Sequence, residues 1–200
     1  MSKKDELRKL QEKMDGDDTL PLKKGATRLV FGVGNPNTKI LLIGEGPGHW
    51  EDQKGEPFVG NAGKLLDRLL GTIDIKREST YITNVVHHRP PNNRDPEPEE
   101  IAAYGKYLDK IIEIISPKII VTLGRFSMAK FLPNVKISSV HGSVNNIKWR
   151  GLEIIVVPMY HPAAALRNGN ILENAKSDFL KLKEVYEKVC EPTLEQGSLI

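Results

Sequence analysis

The sequence predicts an α/β sandwich, with a mostly parallel sheet covered by helices on both faces. Two observations carry that expectation. Short apolar runs rich in β-branched residues alternate with segments of helical period, and no repeat or low-complexity tract interrupts the alternation. The chain has 200 residues, 39% of them hydrophobic, which is enough for one sizeable core. A single domain over residues 1–190 is expected, followed by a flexible tail over 191–200.

The elements follow in order. "MSKKDELRKLQEKM" at the N-terminus alternates charges in a helix-like pattern. "KILLIGEG" (39–46) reads as a buried strand running into a glycine-rich turn, and "NAGKLLDRLLGTI" (61–73) as a helix with its apolar stripe on Leu65, Leu66, Leu69 and Leu70. "STYITNVV" (79–86) is a second strand. "EPEEIAAYGKYLDKIIEIIS" (97–116) starts with a proline among acidic residues, as helix N-termini prefer. "KIIVTLG" (118–124) and "LEIIVVP" (152–158) are two further strands, and "NILENAKSDFLKLKEVYEKVC" (170–190) is a long closing helix.

Composition narrows the function classes. The one cysteine, Cys190, excludes an intrachain disulfide and any cysteine-only metal site, and reads as a bystander thiol. The N-terminus lacks the apolar core of a secretory signal and no apolar run has membrane-spanning length, so a cytoplasmic protein without a membrane partner is expected. A net charge of +3 suits a polyanion partner without requiring one.

In open α/β sheets, ligands bind beyond the C-terminal ends of the strands. Four segments emerge there: "GEGPGHWED", "NVVHHRPP", "LGRF" and "PMYHPAAALRN". They are expected to converge on one cleft and to bring together Glu45, Glu51, Asp52, Asn84, His87, His88, Arg89, Arg125, His161 and Arg167. No serine or cysteine nucleophile with an evident base stands among them.

"GEGPGHWEDQKGEPFVGNAGKLLDRLL", "YITNVVHHRPPNNRDPEPEEI" and "YHPAAALRN" resemble, in order and spacing, the motifs of the family 4 uracil-DNA glycosylases, and the likeness runs from Pro21 to Leu180. The resemblance implies a three-layer α/β/α sandwich with a four-stranded parallel central sheet. It implies a monofunctional enzyme that flips uracil out of single- or double-stranded DNA and hydrolyses its N-glycosidic bond. Such an enzyme starts base excision repair as a monomer in the cytoplasm of a prokaryotic cell, at the nucleoid. Two other readings stand beside it: a glycosylase for other deaminated bases such as hypoxanthine or xanthine, and a binder of uracil or damaged DNA without turnover.

The resemblance also assigns roles. His161 would donate a hydrogen bond to the departing uracil, and Glu45 would position the water or stabilise the cationic sugar. Asn84 would recognise the uracil edge, Phe58 would stack on the base, Gly46 would leave room for it, and Glu51 would exclude thymine. Asn61, Ala62 and Gly63 would offer backbone amides to a phosphate. Leu166 and Arg167 would enter the minor groove, with Arg125 as a phosphate contact alongside Arg89 and Arg94.

One departure is plain. Family members hold a [4Fe–4S] cluster on four cysteines, and the matching positions here are Asp17, Leu20, His88 and Tyr104. None supplies a thiolate, so the cluster is expected to be absent. A zinc site on Asp17, His87 and His88 would lack a fourth ligand. Leu20 and Tyr104 are expected to fill the space with apolar surface, and His88 to find a partner such as Asp17 or a backbone carbonyl. His87, one residue outside the slot, is expected to tolerate alanine.

Overall fold

The computed structural model describes residues 1–190, and the tail expected over 191–200 lies outside the described residues. The four runs anticipated as strands form β2 (Ile40–Gly44), β3 (Tyr81–Asn84), β4 (Ile119–Leu123) and β6 (Leu152–Met159), paired in parallel in the order β3-β2-β4-β6. The expected four-stranded, wholly parallel sheet is corrected at both edges. β1 (Val33–Gly34) pairs antiparallel with β3, and β5 (Asn145–Trp149) antiparallel with β6, giving one six-stranded mixed sheet.

Each central strand is buried on both faces, and its residues alternate between two apolar clusters. Leu41, Ile43, Ile120 and Val156 face helices α1 (Lys3–Asp15) and α4 (Pro98–Ile115) through Leu7, Met14, Leu108 and Ile112. Ile40, Leu42, Val121 and Val157 face α3 (Asn61–Gly71) and α8 (Gly169–Cys190) through Leu66, Leu70, Phe179 and Leu182. This two-sided burial is why the strands read as continuous apolar runs rather than alternating ones.

The helix starts follow local chemistry. Ser2 caps α1: its hydroxyl accepts from the Asp5 amide at 3.2 Å and donates to the Asp5 carboxylate at 2.6 Å. Pro98 opens α4, where the Glu100 carboxylate accepts from the Glu97 amide at 2.8 Å. Three short helices, α2 (His49–Lys54), α5 (Arg125–Ala129) and α7 (Pro162–Ala165), follow the C-terminal ends of β2, β4 and β6; α6 (Ile137–Val140) precedes β5. All the sheet's functional loops therefore leave from one edge. No helix among the described residues is long and apolar enough to cross a membrane.

Candidate active site

The four strand ends converge as the fold class requires. Glu45, Gly46, Glu51, Phe58, Ala62, Asn84, Arg125, His161 and Arg167 line one cleft of about 560 Å³. A second hollow of about 480 Å³ is lined by Lys118, Asn146, Lys148 and Glu153 together with Ile147, Ile155 and Val189, and none of the motif residues lines it.

At the floor lies Asn84, the last residue of β3, in register with Gly44 at the end of β2. Asn84 is 1% exposed, and among the described residues neither its amide nitrogen nor its amide oxygen has a hydrogen-bond partner. An unpaired buried amide costs about 1–3 kcal/mol, so the fold holds this group for something that enters the cleft. Gly44 makes the arrangement sterically feasible: a Cβ there would lie 2.4 Å from Asn84 Oδ1 and 2.6 Å from the Phe58 ring.

Phe58 forms one wall, its ring centroid 5.6 Å from that of His161 and the two planes 31° apart. Its backbone is left-handed, with φ of 54°, which is costly for a bulky residue. Glu51 stabilises the turn from α2: Oε1 accepts from the amides of Val59 at 2.9 Å and Gly60 at 2.8 Å. The other oxygen, Oε2, sits 2.9 Å from where a Cβ on Gly48 would be. Glu51 thus occupies space that a side chain at residue 48 would need.

His161 follows β6 and caps α7, its Nδ1 accepting from the Ala163 amide at 3.2 Å. A backbone N–H can only donate, so the neutral ring carries its proton on Nε2. Burial pushes the imidazole pKa down to about 4, opposed by the Glu51 carboxylate and assisted by the Arg167 cation. Across the cleft, Glu45 is held above the usual carboxylate range, first by burial and next by Asp95, while Arg125 pulls the other way. Asp95 and Arg125 form an ion pair in which both side chains are exposed.

Residues 31–185 match the Uracil DNA glycosylase superfamily. The chain is 48% identical over 179 residues to the type-4 uracil-DNA glycosylase of Archaeoglobus fulgidus, covering 86% of this chain and 89% of that protein. It is 45% identical over 187 residues to the type-4 enzyme of Sulfurisphaera tokodaii (90% and 85% covered). With the type-4 enzyme of Thermotoga maritima the figure is 49% over 148 residues (74% and 77% covered). The chain belongs to family 4 of the uracil-DNA glycosylase superfamily.

Not every residue singled out from the family motifs lines the cleft. Asn61 and Ala62 open α3, but Asn61 is exposed at the rim and Gly63 is buried, its missing Cβ leaving room for the Phe58 carbonyl, 1.8 Å from where that carbon would be. Leu166 projects into solvent, 47% exposed. Asp52 lies below the cleft, where its carboxylate accepts from the Thr27 amide at 2.8 Å. Arg94 does line the cleft, but it is committed to the buried Glu100 through two bonds of 2.8 and 2.6 Å, which removes it from the set of free phosphate contacts.

Other cleft residues were not singled out. Tyr160, Asp95 and Ile137 also line it. The Tyr160 ring packs 4.6 Å from that of His141, which bonds the buried Asp178 at 2.7 Å. Only the position of Tyr160 beside the motif histidine could have signalled it.

The slot that a family 4 cluster would need does not fit an iron–sulfur group. Leu20 and Tyr104 are buried in one apolar cluster with Leu22, Tyr107 and Leu108. The His88 ring meets Tyr104 through Nδ1 and the phenol oxygen at 2.8 Å, so its partner is Tyr104 rather than Asp17 or a carbonyl. Asp17 turns to Tyr107 Oη at 2.7 Å and Lys106 Nζ at 2.9 Å. The bond from the Thr19 hydroxyl first, and then those from Tyr107 and Lys106, hold its carboxyl well below the usual range. Among the described residues no group of three or more His, Cys, Asp and Glu side chains is arranged to hold a metal ion.

His87 departs from expectation. It is fully buried, with ring centroids 6.1 Å from Phe31 and 5.9 Å from Tyr104. The Thr83 hydroxyl donates to the Phe31 carbonyl at 2.7 Å and so accepts the Nε2 proton of His87 at 3.1 Å. Burial holds this imidazole neutral, its pKa pushed down to about 3. Alanine here would empty a core site rather than trim a loop.

Proposed function

We propose that this cleft removes uracil from DNA by hydrolysing the N-glycosidic bond, leaving an abasic site and so starting base excision repair. The observation that carries the reading is Asn84, a buried amide with both hydrogen-bonding atoms unpaired at the base of the cleft. The names of the relatives, type-4 uracil-DNA glycosylases, support the same chemistry. The enzyme is monofunctional, works on single- or double-stranded DNA, and uses no metal or cluster, because in the family's ligand slot Leu20 has no donor atom, His88 and Tyr104 bond each other, and Asp17 is taken up by Tyr107, Lys106 and Thr19.

Each residue then has a task. A nucleotide flipped into the cleft stacks its base on Phe58 and presents its edge to Asn84, whose oxygen accepts from uracil N3–H and whose nitrogen donates to O4. Cytosine reverses that pattern and leaves both groups unpaired. Gly46 keeps the wall thin; a Cβ there would strike Val86 Cγ2 at 2.7 Å. Glu51, filling the space above Gly48, excludes the thymine methyl.

As the glycosidic bond breaks, its electron pair moves to the uracil ring and the sugar becomes cationic. Neutral His161 donates its Nε2 proton as a hydrogen bond to the developing anion. Ionised Glu45 stabilises the cation and orients the water, whose oxygen bonds to the sugar carbon as its proton passes to the Glu45 carboxylate. Arg167 and Leu166 fill the gap in the duplex. Arg125 exchanges Asp95 for a phosphate at little cost, since exposed ion pairs contribute about 0–1 kcal/mol. The uncapped amides at Asn61, Ala62 and Gly63 hold another phosphate.

Asn84→Asp tests the carrying observation. A protonated carboxyl offers the reversed donor and acceptor pattern, so the variant is expected to gain excision of cytosine from C:G pairs. Unchanged discrimination with uracil excision retained would show that Asn84 does not select the base.

The pH profile gives a second expectation. Glu45 must be ionised, and its raised pKa means that it protonates before His161 as pH falls. The acid limb of the single-turnover rate should belong to Glu45 and vanish in Glu45→Gln, with no inflection at the ordinary histidine value of 6.5. An inflection there, abolished by replacing His161, would contradict the assignment. Stability has its own sign: unfolded His161 and His87 bind protons below 6.5 that the folded state refuses, so stability falls as pH drops from that value.

A further inference from the structure

Trp50 projects from α2 beside the cleft, 58% exposed. The chain's other tryptophan, Trp149, packs against Phe131 with centroids 6.1 Å apart and lies near the cations of Lys130 and Arg150. Among the described residues Trp50 has a single aromatic neighbour, His49, edge-on at 5.1 Å. His49 in turn meets an Arg89 guanidinium nitrogen at 3.4 Å. The indole adjoins the cleft wall: a Cβ on Gly60 would lie 3.5 Å from Trp50 Cδ1 and 3.3 Å from Glu51 Oε1. Gly60 is also the cap of α3, whose first amides have no side-chain partner.

A large aromatic face left in water beside the cleft proposed to bind DNA, with a guanidinium on the histidine that it packs against, matches the pattern of a platform for unpaired bases. We propose that Trp50, supported by His49 and Arg89, is a stacking subsite for the base next to the flipped nucleotide, and that single-stranded DNA is therefore the preferred form of the substrate. In a duplex, the neighbouring base is already stacked and paired and is not free to leave for the indole. In a single strand it is. The proposal rests on the reading of the cleft as a DNA site and adds a strand preference to it.

The test uses the full chain and a short oligothymidylate without uracil, compared with the matching duplex. The single strand is expected to quench tryptophan fluorescence in the parent and not in Trp50→Phe, where Trp149 alone remains. Trp50→Ala should bind the single strand about tenfold more weakly, Trp50→Phe within about twofold of the parent, and both should bind the duplex with smaller changes. Absence of quenching, or equal losses on single strand and duplex, would overturn the subsite. Quenching that persists in a protein unable to excise uracil would retain the subsite and refute the glycosylase reading instead.

Discussion

His161→Ala is expected to slow the chemical step of uracil excision by about 10²–10³, the loss typical of removing one donor from a developing anion. Glu45→Ala should produce a loss of the same order, while DNA affinity changes far less in both variants. The asymmetry follows from geometry. The His161 proton is fixed on Nε2 by the Ala163 amide, and Glu45 follows the end of β2. In the proposed mechanism both groups act on charge that exists only as the bond breaks. Single-turnover rates measured beside equilibrium binding check this, and equal losses in the two quantities would assign the residues to structure.

The second large effect concerns stability. Leu20→Ala and Tyr104→Ala are each expected to cost about 2–5 kcal/mol, the range for emptying a core site, because both side chains are buried in the cluster between α1 and α4. Tyr104→Phe should cost about 1–3 kcal/mol by leaving His88 Nδ1 without its partner at 2.8 Å. Chelators should leave the unfolding midpoint unchanged, and the protein should be colourless. Denaturant unfolding with and without chelator decides the matter: a metal-dependent fold would lose stability on chelation, since metal binding energy would be folding energy.

The sheet's centre was legible because two-sided burial forces near-continuous apolar runs, as in "KIIVTLG". Its edges were not. β1 is two residues long and includes Gly34, whose φ is 130°. β5 reads "NNIKW", which alternates half-buried with exposed positions as a one-faced edge strand does. Its one signal was Arg150–Gly151, both at positive φ, a tight hairpin connection into β6.

The cleft divides along the same line. Glu45, Asn84 and His161 follow strands or end them, where fold class alone places ligands. Gly44 opens the "GEGPG" motif but had no role assigned to it, and its role depends on Asn84 and Phe58 approaching from other elements. Asp95 and Arg94 neighbour each other in sequence and both line the cleft, yet one pairs there with Arg125 and the other is consumed by Glu100. His87 and His88 show the reverse error. Adjacency in the chain suggested one slot residue and one bystander, whereas both are buried and each has its own hydroxyl partner.

The most direct test of the account is an excision assay on DNA carrying one U:G, U:A, T:G or hypoxanthine:T site, with the abasic product revealed by alkaline cleavage. The account predicts cleavage at uracil in both contexts and none at thymine or hypoxanthine: Glu51 fills the space for the thymine methyl group, and hypoxanthine, although it offers Asn84 the same N–H and carbonyl pair as uracil, carries it on a larger purine ring that has to fit the same place beside Phe58. Comparable cleavage at hypoxanthine or thymine, or binding of uracil-containing DNA without any cleavage, would contradict it.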